Sequence, residues 1–281
     1  MILTRIRAHP IEWVLIHGAF LAVSAFFLAP FLWLFGAAFD EGATAYIHWP
    51  SSPTLGNFVR IFTEHDFGHV LVNSVFVAVT TMLLVVATVS LAGYSLSRID
   101  LRRKDWITYA VLLLQTMPLS ATMVPIYGLA RQLGLRNSYL GLILIHAAIE
   151  LPFLVWLMKG FFDSVPKQLE EASWLDGRTK LRALVEIVAP LARPGLGIAA
   201  GFSFLSAWAE VLMVIILIDQ QDLKTVPLAF YEAMRTQGGY TEVQYGVIAA
   251  MAVLYLLPVM AVFFGARRLM VRGLMNSTRG L

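Results

Sequence analysis

The stretch PKQLEEASWLDGRTKLRALVEIVAPLARP, residues 166–194, is the longest charged segment in a chain that is otherwise rich in apolar residues. Of the 281 residues, 58% are hydrophobic and only 14% are charged, whereas soluble domains have about 45–50% and about 25%. Several apolar runs are also longer than the ~20 residues that a membrane-spanning helix needs. The sequence therefore predicts an all-α, polytopic membrane protein in which this stretch is a polar loop between two spans.

Apolar runs on both sides of the charged stretch predict six transmembrane helices. Pro118 and Pro125 lie inside the third run, where we expect at least one kink, and Pro152 is expected to break the fourth. No internal repeat or separate soluble segment is evident, so residues 1–281 are predicted to form a single transmembrane domain. The predicted spans are residues 11–39, 70–97, 106–129, 139–162, 195–218 and 246–265.

The Lys and Arg residues are distributed unequally between the loops. Sixteen of the 21 lie on the side of the membrane that holds the N-terminus. They include Arg5 and Arg7, the cluster at residues 98–104 and the basic tail that starts at Arg267. By the positive-inside rule, this asymmetry predicts that both termini and the segment 163–194 are cytoplasmic.

Composition and motifs exclude several classes of protein. The chain has no cysteine, so disulfides and thiolate zinc sites are not available to it. The net charge is +3. We attribute it to the Lys and Arg residues of the loops on one side of the membrane, so we expect no nucleic-acid partner. No G-x-x-x-x-G-K-[ST] loop, H-E-x-x-H or G-x-S-x-G motif occurs. We therefore expect a protein that is not an enzyme and that itself holds no metal or cofactor.

The charged stretch itself predicts two short helices. Pro166 suits the first position of a helix of about 11 residues. Glu170 and Glu171 suit the positive end of its dipole, and Gly177 can end it with a left-handed residue. A second helix is predicted to begin near Thr179. On these residues alone, the stretch is either a solvated amphipathic loop or a surface that docks a partner.

The same stretch closely resembles the EAA motif, E-A-A-x-x-x-G-x9-I-x-L-P, of permease subunits of ABC importers. The matching residues are Glu171-Ala172-Ser173, Gly177, Ile187 and Pro190, with two departures, at Ser173 and Ala189. Weaker matches follow along most of the chain, and their order and spacing are specific. They include Asn73-Ser74, Leu133-Gly134-Leu135, Asn137-Ser138 and Val271-Arg272-Gly273-Leu274.

The resemblance implies a type I ABC importer permease fold, of the carbohydrate-uptake branch that includes the smaller maltose permease subunit. It implies an ATP-driven, binding-protein-dependent importer for a sugar or a related carbohydrate, whose solute the sequence does not identify. The first short helix would be a coupling helix seated on a cytoplasmic ATPase. The residues that the resemblance assigns to this coupling are Glu170, Glu171, Ala172, Ser173, Asp176, Gly177, Ile187 and Pro190.

The resemblance also implies partners and a location. The partners are a second permease subunit, an ATP-binding cassette ATPase dimer that binds ATP and Mg, an extracytoplasmic solute-binding protein and the lipid bilayer. The segment 219–245 would reach towards the binding protein, and the tail 267–281 would contact the ATPase. The expected location is the cytoplasmic (inner) membrane of a bacterium or archaeon.

Ionisable residues inside a span are costly and are therefore functional candidates. His146 and Glu150 lie four residues apart on one face of the fourth span, and Glu210 lies at a similar depth in the fifth. Trp208 and Trp156 could stack on a sugar ring. These side chains could line a substrate pathway, or they could form a structural His–Glu contact beside core tryptophans.

An alternative function uses the same ionisable residues. In a proton-coupled secondary transporter, His146, Glu150 and Glu210 would form a proton relay, although such folds commonly contain inverted repeats and none is evident. Gly197 and Gly201 form a small-residue face, which packs either within the chain or against a second permease subunit.

Overall fold

The computed structural model describes residues 10–100, 102–236 and 244–277. Every regular element in these ranges is helical, which agrees with the all-α prediction. The helices are α1 (Pro10–Ala38), α2 (Gly56–Thr63), α3 (Phe67–Arg98), α4 (Lys104–Leu113), α5 (Leu119–Gln132), α6 (Tyr139–Asp163), α7 (Lys167–Leu175), α8 (Lys180–Ala183), α9 (Ala189–Leu191), α10 (Arg193–Ala209), α11 (Leu212–Leu217), α12 (Val226–Thr236) and α13 (Tyr245–Ser277).

Four helices in the described ranges are long and apolar enough to cross a membrane: α1, α3, α6 and α13. A fifth span is possible if the bent pair Lys180–Leu191 and Arg193–Ala209 counts as one. The all-helical membrane architecture is therefore confirmed, whereas the count of six spans stays a prediction.

The third predicted span is divided at Pro118. Helix α4 is followed by a 3-10 turn, Leu114–Thr116, and α5 begins only at Leu119. Between them, Met117 and Pro118 are extended, with ψ of 125° and 135°. The conformation of Met117 follows from Pro118, because a proline disfavours helical geometry in the residue before it. The expected kink is therefore present as a complete break, while Pro125 lies inside α5.

The expected break at Pro152 is wrong, because α6 runs without interruption from Tyr139 to Asp163. Proline removes one backbone donor and disturbs the carbonyls of the preceding turn. A neighbouring side chain bonds another carbonyl of that turn: Gln115 Nε2, in the 3-10 turn Leu114–Thr116, donates a hydrogen bond of 2.9 Å to the carbonyl of Ile149. Support of this kind from an adjacent helix is how membrane helices tolerate proline.

The fifth predicted span is also two helices, α10 and α11, separated at Glu210 and Val211. Glu210 has an extended conformation with ψ of 122°. The helical path of residues 195–218 is thus interrupted at the position where the sequence has an acidic residue inside an apolar run.

The chain divides into two compact units, Met1–Phe67 with Phe230–Leu256, and Gly68–Ala229 with Leu257–Leu281. The prediction of a single domain stays a prediction. In the first unit, Asn57 Nδ2 donates to the carbonyls of Ala38 at 3.2 Å and Asp40 at 2.9 Å, so that α2 is attached to the end of α1.

The second unit is built around α6. One half of this helix packs in an apolar cluster with α3 and the segment 184–192, through Leu154, Met158 and Phe162. The other half packs in a second cluster with α11, through Leu142 and Ile143. The predicted coupling residues and the predicted intramembrane residues all belong to this unit.

Candidate functional site

Helix α7 carries the core of the charged stretch, and its ends follow from local sequence. Pro166, predicted as the first helical residue, is instead the extended residue immediately before Lys167, where α7 begins. At the other end, Gly177 has φ of +80°, its N–H bonds the Trp174 carbonyl at 3.0 Å and the Arg178 N–H bonds the Ser173 carbonyl at 3.1 Å. This pair of bonds is a Schellman motif, so the predicted left-handed stop at Gly177 is confirmed.

The predicted coupling residues fall into exposed and buried groups. Leu175, at the end of α7, is 91% exposed. Ile187 and Pro190 are half-buried, while Glu170 and Ser173 are buried within the chain. The exposed group is Glu171, Ala172, Asp176 and Gly177. Helix α7 therefore has one anchored face and one face open to a partner or to the membrane surface.

The anchored face depends on Glu170, which is completely buried. Its carboxylate accepts hydrogen bonds from the Tyr94 hydroxyl at 2.7 Å and from Arg98 Nε at 2.5 Å, and it also forms an ion pair with Arg98 Nη2. Both partners lie in the last turns of α3. A buried charge needs a partner and hydrogen bonds to be tolerated, and Glu170 has both.

The chain after Gly177 turns through several short elements. Helix α8 begins after Thr179, whose hydroxyl accepts from the Arg182 N–H at 3.3 Å, as predicted for a second helix near this residue. A π-helical turn, Leu184–Val188, follows. The path then bends by 85° between Leu191 and Arg193. The covalent connection from α7 to α10 is therefore irregular.

His146 and Glu150 are both buried on α6, and each is only 3% exposed. Neither His146 Nε2 nor either carboxylate oxygen of Glu150 completes a hydrogen bond within the described part of the chain. The hydroxyls of Ser203 and Ser206, on α10, lie beside the Glu150 carboxylate. Two helices thus bring polar groups together in an apolar core and leave some of their hydrogen-bonding capacity unused.

The other predicted pathway residues have different surroundings. Trp208 is buried and stacks on Phe204, with ring centroids 5.8 Å apart, so its ring face is not open in this conformation. Trp156 is 42% exposed. Glu210 accepts hydrogen bonds from the N–H groups of Leu212 at 2.8 Å and Met213 at 3.1 Å. Glu210 therefore caps the first turn of α11, and in the described part of the chain no hydrogen bond or ion pair joins it to His146 or Glu150.

The small-residue face of α10 packs at least partly within the chain. A methyl group on Gly201, one of the two glycines of that face, would lie 3.8 Å from Val262 on α13. Gly195, which is not part of that face, also lies against a neighbouring helix, because a methyl group there would overlap the Phe161 ring on α6. In the described ranges, no three His, Asp or Glu side chains are arranged to hold a metal ion.

Sequence reasoning missed a group of polar residues that secures the segment after α11. Asn73 Nδ2 donates to the carbonyls of Asp222 at 2.8 Å and Lys224 at 2.9 Å, and its oxygen accepts from the Tyr139 hydroxyl at 2.7 Å. Ser74 Oγ accepts from the Val226 N–H at 2.7 Å. The only signal was an Asn-Ser pair near the start of an apolar helix. We call Asn73, Ser74 and Tyr139 the polar clasp.

Comparison with known proteins identifies the family. Residues 15–276 match the family described as binding-protein-dependent transport system inner membrane component. A probable ABC transporter permease protein of Sinorhizobium fredii is 34% identical over 91% of this chain and 91% of its own length. The maltodextrin transport system permease protein MdxG of Bacillus subtilis is 31% identical over 90% of each chain.

A solved structure shares the fold. A chain of a bacterial ABC transporter that imports the acidic polysaccharide alginate superposes with a TM-score of 0.78 at 19% identity, over 92% of this chain and 96% of that one. The permease fold implied by the EAA motif is therefore confirmed. The chain belongs to the family of binding-protein-dependent transport system inner membrane components, and it is a non-catalytic, multi-pass permease subunit of an importer.

Proposed function

We propose that this chain is the permease subunit of an ATP-driven importer for a sugar or a related carbohydrate, and that α7 docks on a cytoplasmic ATPase. The observation that carries the proposal is the division of α7 into two faces. Glu170 anchors the buried face, whereas Glu171, Ala172 and Leu175 remain open at the surface. An exposed leucine beside charged side chains suits a protein interface. The relative named for maltodextrin supports the carbohydrate class.

The proposal includes the other partners of such an importer. A second permease subunit completes the membrane part, an ATPase dimer binds ATP and Mg, and an extracytoplasmic binding protein delivers the solute. Both termini lie in the cytoplasm of a bacterial or archaeal cell, which the distribution of Lys and Arg supports. The polar clasp bonds residues 222, 224 and 226 of the segment 219–245. Residues 237–243 and the side chains of the tail 267–281 lie outside the described residues.

The coupling role is tested by uptake in reconstituted vesicles that contain the purified importer complex and its binding protein. Glu171→Arg and Gly177→Asp are each expected to abolish ATP-dependent uptake while the complex remains assembled. Gly128→Ala is the matched control, because a methyl group at that helical glycine has nothing within 4 Å. Normal ATP-dependent uptake by both coupling variants would show that α7 does not couple transport to the ATPase.

We also propose that His146, Glu150, Trp208 and Glu210 belong to the substrate pathway, with Ser203 and Ser206 as additional polar groups. The unused hydrogen-bonding capacity of His146 and Glu150 supports this assignment, because buried polar atoms normally have partners and a sugar hydroxyl can supply one. Trp208 and Glu210 would take part only after α10 and α11 move, since both are engaged within the chain in this conformation.

The pathway proposal is tested by the concentration dependence of uptake. Glu150→Gln and Ser203→Ala are expected to change the solute concentration that gives half-maximal uptake. Ser90→Ala is the control, because the Ser90 hydroxyl donates to the carbonyl of Val86 in its own helix at 2.6 Å. If the two pathway variants and the control give the same concentration dependence as the unmodified protein, this cluster is structural.

A further inference from the structure

The hydrogen bonds of Glu170 extend into a network that joins three helices. Arg98 Nη1 donates to Ser97 Oγ at 2.8 Å, and Arg98 Nη2 donates to the carbonyl of Val165 at 3.1 Å. Ser97 Oγ in turn donates to Asp163 Oδ1 at 2.6 Å. The network therefore connects α7 through Glu170 to the end of α3, and through Asp163 to the end of α6.

The other acidic residue of the network is also paired. Lys159 Nζ, one turn before Asp163 on α6, donates to Asp163 Oδ2 at 2.8 Å. Arg98 Nε, Nη1 and Nη2 each donate a hydrogen bond, so the guanidinium is fixed in position and orientation. We call Tyr94, Ser97, Arg98, Asp163 and Glu170 the ionic latch.

Close packing beside the ionic latch restricts the movement of α3 relative to α6. A methyl group on Gly93 would lie 3.0 Å from Met158 Cβ and 3.1 Å from the Lys159 backbone nitrogen, so the two helix backbones are nearly in contact. The Tyr94 ring meets Phe162 edge to face, with centroids 6.1 Å apart. Neither helix can shift here without disturbing the other.

The three residues 164–166 join α7 directly to the end of α6. Two further routes lead from α7 to other membrane helices, and we expect them to differ in stiffness. The covalent route passes through the Gly177 turn, the π-helical turn and the 85° bend before it reaches α10. The other route is Glu170 and its charged hydrogen bonds to α3. Among the described residues of α7, Glu170 is the one whose side chain hydrogen-bonds beyond that helix. Charge-assisted, buried hydrogen bonds hold geometry better than a chain of short elements.

We propose that the ionic latch transmits movement of α7 directly to α3 and fixes α7 to the end of α6, in addition to the covalent routes through residues 164–166 to α6 and through Pro190 to α10. This inference rests on the proposed function, in which the ATPase moves α7. Glu170 and Arg98 are positioning residues, because neither one touches solute or nucleotide in this role. They make α7 and the ends of α3 and α6 move as one body when the ATPase closes.

The test is the number of solute molecules taken up per ATP hydrolysed, measured in vesicles that contain the complete importer. Arg98→Gln and Glu170→Gln are each expected to lower this ratio about fivefold or more, which is the lower end of ordinary coupling effects between sites. ATP hydrolysis itself continues, because the open face of α7 still docks. The double variant is expected to match the single variants, since the two side chains act through each other.

Two milder variants and a control keep the test decisive if the Gln variants assemble poorly. Tyr94→Phe and Arg98→Lys retain the packing or the charge and are expected to lower the ratio by a smaller factor. Arg136→Gln breaks the ion pair between Arg136 and Asp219, which lies outside the ionic latch, and is expected to leave the ratio unchanged.

The outcomes separate the two proposals. Absence of ATP-dependent uptake by the unmodified importer would overturn the proposed function. Normal uptake by the unmodified importer, together with an unchanged ratio in assembled Arg98 and Glu170 variants, would overturn the ionic latch alone. A fall in uptake and in ATP hydrolysis by the same factor would assign Glu170 a purely structural role and would likewise overturn it.

Discussion

Glu170 and Glu150 are both buried glutamates, but they differ in what surrounds them. Glu170 is completely buried and receives hydrogen bonds from Tyr94 and Arg98. Glu150 is 3% exposed, and neither of its oxygens completes a hydrogen bond in the described part of the chain. A carboxylate whose oxygens are already hydrogen-bonded to neighbouring helices holds those helices together. A carboxylate whose oxygens lack hydrogen-bond donors can still accept hydrogen bonds from a solute. The contrast supports the proposed roles of Glu170 in transmitting movement and of Glu150 in the substrate pathway.

The largest difference between the two glutamates is expected in stability. Glu170→Gln leaves the Arg98 guanidinium, which is 12% exposed, without its charged partner on α7. Breaking a fully buried pair costs about 3–5 kcal/mol, and the partial exposure of Arg98 places this pair at the lower end of that range. Glu150→Gln is expected to cost nothing or to stabilise slightly, because a neutral amide is less costly to bury than an unpaired carboxylate. Thermal unfolding of the two purified variants in detergent measures the difference. Equal losses of stability would show that the two environments are energetically alike.

The polar clasp is a third case for comparison, because its side chains are uncharged and hydrogen-bonded. Asn73→Ala removes the partner of two backbone carbonyls and of the Tyr139 hydroxyl. These hydrogen bonds are only part-buried, so water can replace the lost partner, and each lost bond costs about 0.5–1.5 kcal/mol. We expect a stability loss between those of Glu170→Gln and Glu150→Gln. Limited proteolysis in the segment 219–226 would report local release. Protection equal to that of the unmodified protein would mean that Asn73 does not hold this segment.

A smaller effect is expected at the left-handed end of α7. Gly177→Ala places a side chain at φ of +80° and is expected to cost about 1–2 kcal/mol. A methyl group there meets nothing within 4 Å, so the cost is conformational and not steric. Gly128→Ala, in a helix interior, is expected to be neutral or stabilising by up to about 1 kcal/mol. Thermal midpoints compare the two variants, and equal midpoints would contradict the role of the left-handed conformation.

The sequence predicts most of the features that depend on residues close together in the chain, such as the ends of short helices. The end of α7 at Gly177 and the beginning of α8 after Thr179 depend on side chains within a few residues, so capping rules apply to them. The EAA spacing likewise identifies the family without knowledge of the fold. The interruption at Pro118 follows from a single proline and the residue before it.

Tertiary partners could not be predicted in this way. Glu170 is paired with Arg98, 72 positions earlier in the chain, and Asn73 bonds carbonyls about 150 positions later. Glu210 looks like an intramembrane charge in the sequence, yet its oxygens cap the next helix. Pro152 looks like a helix break, but Gln115 from another helix supports the disturbed turn. In each case the hydrogen-bond partner that determines the role of the residue either lies far away in the sequence or is available only in a particular local conformation. Neither can be read from composition.

The most direct test of the contrast between Glu170 and Glu150 is the distance between spin labels on α7 and α3 in the complete importer. The chain has no cysteine, so in an importer whose other subunits are also free of cysteine, Gln168→Cys and Ser95→Cys, both at exposed positions, label the two helices specifically. We predict one narrow distance distribution that does not change when ATP binds, and the same result with Glu150→Gln. With Glu170→Gln, the distribution is expected to broaden or shift on ATP binding. An unchanged, narrow distribution in the Glu170→Gln importer would contradict the claim that this buried carboxylate makes α7 and α3 move together.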